Sequence, residues 1–128
     1  MKKKVAYKLT LPAAKSLYGG EVTCPILYAL DLIGGKWKLP IIWHLADRQV
    51  VRYNELKRSV TGITNMMLTK SLKELEQSGL VLRVQHQEVP PRVEYSLTER
   101  GRKLLPAMNK LYEWGKEQVE FSGHRKAE

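Results

Sequence analysis

Residues 52–98, RYNELKRSVTGITNMMLTKSLKELEQSGLVLRVQHQEVPPRVEYSLT, contain a switch of hydrophobic period that few folds accommodate. Leu68, Leu72 and Leu75 recur at i, i+4 and i+7, one apolar stripe on a helix expected from Asn65 to Ser78 with Thr64 as its cap. Gly79 ends that helix as a left-handed terminator. Beyond it the period falls to two: Leu82 and Val84 alternate with Arg83 and Gln85, then Val93, Tyr95 and Leu97 with Arg92, Glu94 and Ser96. Between these runs Glu88-Val89-Pro90-Pro91 interrupts the ladder, because proline has no N–H to donate. Ahead of the longer helix, Tyr53 to Ser59 reads as a short helix that buries Leu56 and Val60 and turns Lys57 and Arg58 outward. Thr61-Gly62-Ile63 is the turn joining the two, with Gly62 free to take a positive φ.

A short helix, a turn, a longer helix and a proline-tipped hairpin form the layout of a winged helix-turn-helix. The fold class expected is mainly α with a small antiparallel β-wing. Upstream, Thr23-Cys24-Pro25 looks like a helix start, with Thr23 or Cys24 at the cap and Pro25 at the first helical position. Ile26, Leu27, Leu30 and Ile33 follow at helical spacing until Gly34-Gly35. A second helix is expected from Lys36 to Ala46, burying Trp37, Ile41, Ile42 and Leu45, with Pro40 tolerable only near its first turn. Val50-Val51-Arg52 reads as a short strand. Downstream, Thr98 is expected to cap one long helix reaching about Val119 and kinked at Pro106. Its Leu104, Leu105, Met108, Leu111, Tyr112, Trp114 and Val119 make more apolar surface than so small a domain covers alone. Residues 1–22 are read as an N-terminal arm, 23–121 as the folded domain and 122–128 as a tail.

If the leucines of the longer helix point inward, Asn65, Met66, Thr69, Lys70 and Lys73 point mostly outward. Asn can bond adenine bidentately, Thr can bond a base or touch a thymine methyl, and Lys reaches guanine or phosphate. Asn65, Met66, Thr69 and Lys70 are therefore the expected reading residues, with Lys73 nearer the backbone and Thr64, the cap, also counted as DNA-binding. Arg52, Lys57 and Arg58 would clamp phosphates from the first helix, and Pro91 with Arg92 from the wing tip. Each also has a plainer reading, an exposed helix residue or, for Arg92, a partner of Glu88 or Glu94.

The 22 Lys and Arg exceed the 13 Asp and Glu, for a formal charge of +9. Such an excess favours a polyanion, since each neutralised phosphate releases counterions, although charge alone does not define function. Between Asp31 and Lys73 the cations Lys36, Lys38, Arg48, Arg52, Lys57, Arg58, Lys70 and Lys73 meet only Asp31, Asp47 and Glu55. With one cysteine, Cys24, no intrachain disulfide can form, which suits a reducing cytoplasm. Lys8, Pro12 and Lys15 break any leader-like apolar core, and no run reaches transmembrane length, so a cytoplasmic protein without membrane contact is expected. His44, His86 and His124 lie far apart without ligand-spaced partners, so neither metal nor cofactor is expected. His86 shares a strand face with Leu82 and Val84 and should be a packed or partly buried imidazole. No nucleophile elbow, phosphate loop or dinucleotide fingerprint occurs, which argues against an enzyme. Two alternatives to a specific regulator remain at this point: a winged-helix module that docks protein, and a non-specific nucleoid-type DNA binder.

The residues also resemble a known family. Cys24-Pro25, Leu30-Asp31-Leu32-Ile33-Gly34-Gly35-Lys36-Trp37, Arg52-Tyr53-Asn54-Glu55-Leu56, Gly62-Ile63, Met67-Leu68-Thr69 and Leu72-Lys73-Glu74-Leu75-Glu76 are similar to segments of the HxlR-type regulators. Gly79-Leu80-Val81, Pro90-Pro91-Arg92-Val93-Glu94-Tyr95 and Leu97-Thr98-Glu99-Arg100-Gly101 complete a pattern spanning roughly Cys24 to Trp114. The resemblance implies a homodimeric transcription factor related to the MarR type, with first and last helices at the dimer interface. It implies double-stranded DNA as partner, an inverted-repeat operator, and repression as the commoner sign. In several members the cysteine matching Cys24 senses electrophiles or oxidants; the other reading is a small residue buried at the dimer interface. Pro40 departs from the family pattern, where an aliphatic residue is usual. Trp37, Trp43, Tyr28, Tyr112 and Trp114 either line a pocket at that interface or pack as core.

Overall fold

In a computed structural model of the chain, residues 24–123 are described; the expected arm, Thr23 as an alternative cap, and the tail beyond Gly123 lie outside them. Helix α1 (Pro25–Ile33) follows Cys24, whose extended backbone (φ −91°, ψ 123°) makes it the cap residue, and Pro25 occupies a first-turn position where no N–H is needed. Helix α2 (Lys38–Ala46) starts two residues after the expected Lys36. Pro40 then falls in its first turn, where backbone N–H groups have no intrahelical acceptor, so the missing donor costs little. Ile41, Ile42 and Leu45 of α2 are fully buried and form the floor of the core.

A two-residue strand β1 (Val51–Arg52) leads into α3 (Tyr53–Ser59), and Gly62 turns the chain with φ +86° into α4 (Asn65–Gln77). Strands β2 (Val81–His86) and β3 (Arg92–Leu97) form the hairpin, and the antiparallel sheet has the order β1-β3-β2. The core gathers Leu56 from α3, Leu68, Leu72 and Leu75 from α4, and Val51 and Val81 from the sheet against α2.

The pairing register decides which strand face is inner. Val81 pairs Leu97, Arg83 pairs Tyr95 and Gln85 pairs Val93, so these residues share the face on which Val81, Tyr95 and Leu97 are buried. Leu82 and Val84 face the other way, opposite Ser96 and Glu94, and are 51% and 39% exposed. The apolar alternation of β2 therefore lies on the outer side of the sheet. His86 shares that side, half-buried, with Nε2 2.5 Å from Glu94 Oε1.

The expected single terminal helix is corrected to two. Thr98 does cap a helix, accepting the Gly101 N–H at 3.1 Å, but α5 (Glu99–Arg102) stops after four residues. The chain turns at Lys103 and Leu104, and α6 (Leu105–Phe121) begins anew with Pro106 in its first turn. A continuous helix would drive the Pro106 ring into the carbonyl of Arg102, four residues back. Proline thus starts the last helix instead of kinking it. Among the described residues no helix is long and apolar enough to cross a membrane.

Candidate nucleic-acid interface

Helix α4 is amphipathic in the required sense. Leu68, Leu72 and Leu75 are at most 2% exposed, while Asn65, Met66, Thr69, Lys70 and Lys73 on the other flank are open to solvent. Thr64 precedes them with extended backbone, and its hydroxyl oxygen accepts the Met67 N–H at 3.1 Å. That bond satisfies one of the donors left open at a helix start. Thr64 therefore acts first as a cap, retaining its hydroxyl proton for an external acceptor. Met66 is 77% exposed, an apolar contact surface beside the polar residues.

The first helix of the pair presents Arg52 and Arg58 exposed, whereas Lys57 is half-buried. Arg52, Tyr53 and Asn54 line one side of a recess of about 450 Å³, and the wing residues 88–93 line the other. Pro91 is exposed at the wing tip. Arg92 is engaged within the wing: its guanidinium lies 3.3 Å from Glu88 Oε1, and its Nε is buried without a hydrogen-bond partner among the described residues. A phosphate contact by Arg92 would have to compete with that pair. Lys38, 9% exposed, lies 3.8 Å from Glu74 and joins α2 to the inner flank of α4.

Two residues were not singled out from sequence. Tyr53 was read only as a helix start, yet its hydroxyl lies 3.0 Å from the Asn65 carbonyl oxygen, 3.3 Å from Asn65 Oδ1 and 3.0 Å from Thr69 Oγ1. Arg83 was read only as the polar alternate of β2, yet it lines a recess of about 250 Å³ with Thr69, Lys73 and Tyr95. Only the packing of α3 and β2 against α4 brings them beside Thr69 on its outward flank.

A second surface is apolar. Ile26 of α1 is 71% exposed, and on α6 Leu111, Tyr112, Trp114 and Phe121 are all at least half exposed. Trp43 stacks on Tyr112 with ring centroids 5.2 Å apart, beside an open groove of about 320 Å³ lined by Leu39, Pro40, His44, Met108 and Leu111. Trp37 is half-buried under the Lys36 ammonium, 4.7 Å from the ring centre. Of the expected aromatic set, then, Trp43 and Tyr112 meet and Trp37 packs elsewhere. Cys24 is exposed at the start of α1. Among the described residues no three His, Cys, Asp or Glu are grouped to hold a metal.

A helix pair that offers one polar, cationic flank outward and is followed by a β-hairpin defines a winged helix-turn-helix transcriptional regulator. The chain belongs to the HxlR-like helix-turn-helix family, whose model matches residues 32–122. Its relatives are regulators and not enzymes. It is 53% identical over 91 residues to an uncharacterized HTH-type transcriptional regulator of Halalkalibacterium halodurans, covering 71% of this chain and 80% of that protein. Among solved structures it is similar to the redox regulator HypR in its reduced form, with TM-score 0.74 and 44% identity over 78% of this chain and 98% of that one. It is also similar to the reduced form of the Bacillus subtilis transcriptional regulator YodB, with TM-score 0.65 and 34% identity over 75% of this chain and 94% of that one.

Proposed function

We propose that the chain is a cytoplasmic, sequence-specific repressor that binds an inverted-repeat operator as a homodimer. The observation that carries this reading is α4, where buried Leu68, Leu72 and Leu75 anchor an exposed row of Asn65, Met66, Thr69 and Lys70, with Lys73 behind. These residues would contact base edges, Thr64 and Lys73 adding backbone contacts. Arg52, Lys57 and Arg58 would hold phosphates beside α3, and Pro91 with Arg92 would lie along the flanking groove. A protein-docking helix would expose apolar anchors; here Met66 is the one such residue on the flank, which favours DNA. A non-specific binder has no need of Asn65 and Thr69 at the front of the helix.

The apolar faces of α1 and α6, open in the single chain, support a dimer closed by first and last helices. Half-sites would then lie about one helical turn apart or a multiple. Repression is the sign favoured by the family resemblance. Cys24, exposed at the N-terminus of α1 next to this surface, supports a response to oxidants or electrophiles, as does similarity to a redox regulator. Oxidation of a single thiol there would give a sulfenic acid, a mixed disulfide or a bond between subunits.

The deciding experiment selects binding sites from random duplex DNA with the full chain, and repeats binding across a salt series. A palindromic preference with a steep salt slope is expected. A slope without preference indicates a nucleoid-type binder, and neither indicates a protein-docking module. For the thiol, diamide treatment should change operator affinity in the wild type and not in Cys24→Ser; equal behaviour removes the sensing role.

A further inference from the structure

We infer that Tyr53 is a positioning residue that sets which hydrogen-bonding atoms of Asn65 and Thr69 are offered to DNA. The inference rests on the reading of α4 as the helix that enters the groove. A phenol carries one proton and accepts through its oxygen. The Asn65 backbone carbonyl, 3.0 Å away, can only accept, so the Tyr53 hydroxyl donates to it. The Thr69 hydroxyl, 3.0 Å from the same phenol oxygen, then donates into that oxygen. Its proton is directed inward. What remains outward is an acceptor lone pair and a methyl group.

Thr69 so held matches the amino groups of adenine or cytosine, or a thymine methyl, and does not donate to guanine. Asn65 Oδ1, 3.3 Å from the same hydroxyl, shares its one proton with the backbone carbonyl as the longer arm of a three-centre bond, which leaves the Nδ2 donor on the outward side. A bidentate adenine contact needs both amide atoms together. Asn65 therefore reads by donation, to guanine O6 or N7 or to thymine O4. The expectation of an adenine-specific asparagine changes accordingly. One hydroxyl on α3 orients two readers a helical turn apart on α4, without itself touching a base.

The test compares full-length wild type with Tyr53→Phe, which keeps the ring and removes the hydroxyl. In selection from random duplexes, Tyr53→Phe should change preference only at the base pairs facing Asn65 and Thr69. Affinity for the wild-type site should fall about three- to tenfold, as for one hydrogen bond lost, with non-specific affinity and salt slope unchanged. Adding Thr69→Val to Tyr53→Phe should cost less than Thr69→Val costs in the wild type, because Tyr53 acts partly through the Thr69 hydroxyl. Unchanged preferences, a uniform loss over all sequences, or additive losses in the double variant would each overturn the inference. Side-chain amide NMR of the DNA-free protein decides the contact separately: the Asn65 signals should move in Tyr53→Phe, and identical signals refute the contact. A wild type without any sequence preference overturns the reading of α4 itself, and with it the role given to Tyr53.

Discussion

Gly101 is where the C-terminal segment is clamped to the chain just beyond α4, so Gly101→Ala is the sharpest stability test. A methyl there would sit 2.3 Å from the Leu80 carbonyl oxygen and 3.3 Å from both the Leu80 carbonyl carbon and Leu97 Cδ2. Carbon–oxygen contacts are ordinarily about 3.3 Å or longer, so the shortfall is about 1 Å against backbone. That carbonyl cannot retreat freely, because it accepts the Thr98 N–H at 3.1 Å. Relief must come from α5 moving off the hairpin. The move would stretch the Thr98 hydroxyl bond to the Gly79 carbonyl (2.6 Å) and the Arg100 bond to the Ser78 carbonyl (2.9 Å).

Overpacking of this kind costs about 1–3 kcal/mol, and a weakened hydrogen bond adds about 0.5–1.5 kcal/mol. Alanine's better helix propensity returns at most about 1 kcal/mol. The net is a loss of about 0.5–4.5 kcal/mol. At roughly 5 °C per kcal/mol for a domain of this size, Tm falls by roughly 2–22 °C. Calorimetry at a fixed protomer concentration reads it, since the proposed dimer would make Tm concentration-dependent. A Tm equal to or above wild type would refute the packing argument.

Thr64→Ala should lower stability by about 0.5–2 kcal/mol in denaturant titration, since it removes the cap of α4. Leu72→Ala, at a side chain 2% exposed, should cost about 2–5 kcal/mol in the same assay and loosen α4 from its support. Lys73→Ala should reduce the logarithmic salt slope of operator binding by about 0.9, the contribution of one phosphate contact, and leave sequence preference unaltered. Trp114→Asp, at a residue 60% exposed on α6, should shift sedimentation toward the monomer while the helical circular dichroism of each protomer persists.

Much of the site was legible because the relevant signals are local. The leucine stripe of α4, the Thr64 cap, Gly62 and Gly79 at positive φ, and the short helix from Tyr53 to Ser59 all follow from spacing and backbone chemistry within a few residues. The terminal helix was misjudged although its signal was also local: the clash of Pro106 with the carbonyl of Arg102 splits it in two. Arg92 shows the opposite limit. Its spacing from Glu88 allowed an ion pair and its position allowed a phosphate contact, and only the folded hairpin chose the pair.

By itself the chain's order of residues determined the elements, their sequence and the outward set on α4, because hydrophobic period and end-caps act over one or two turns. Tertiary structure alone decided which face of β2 is inner, and that Tyr53 meets Asn65 and Thr69, twelve and sixteen positions away. Those outcomes depend on how separate segments slide against one another until their side chains interlock. Such registers are a property of the packed core and are not written in the spacing of any single segment.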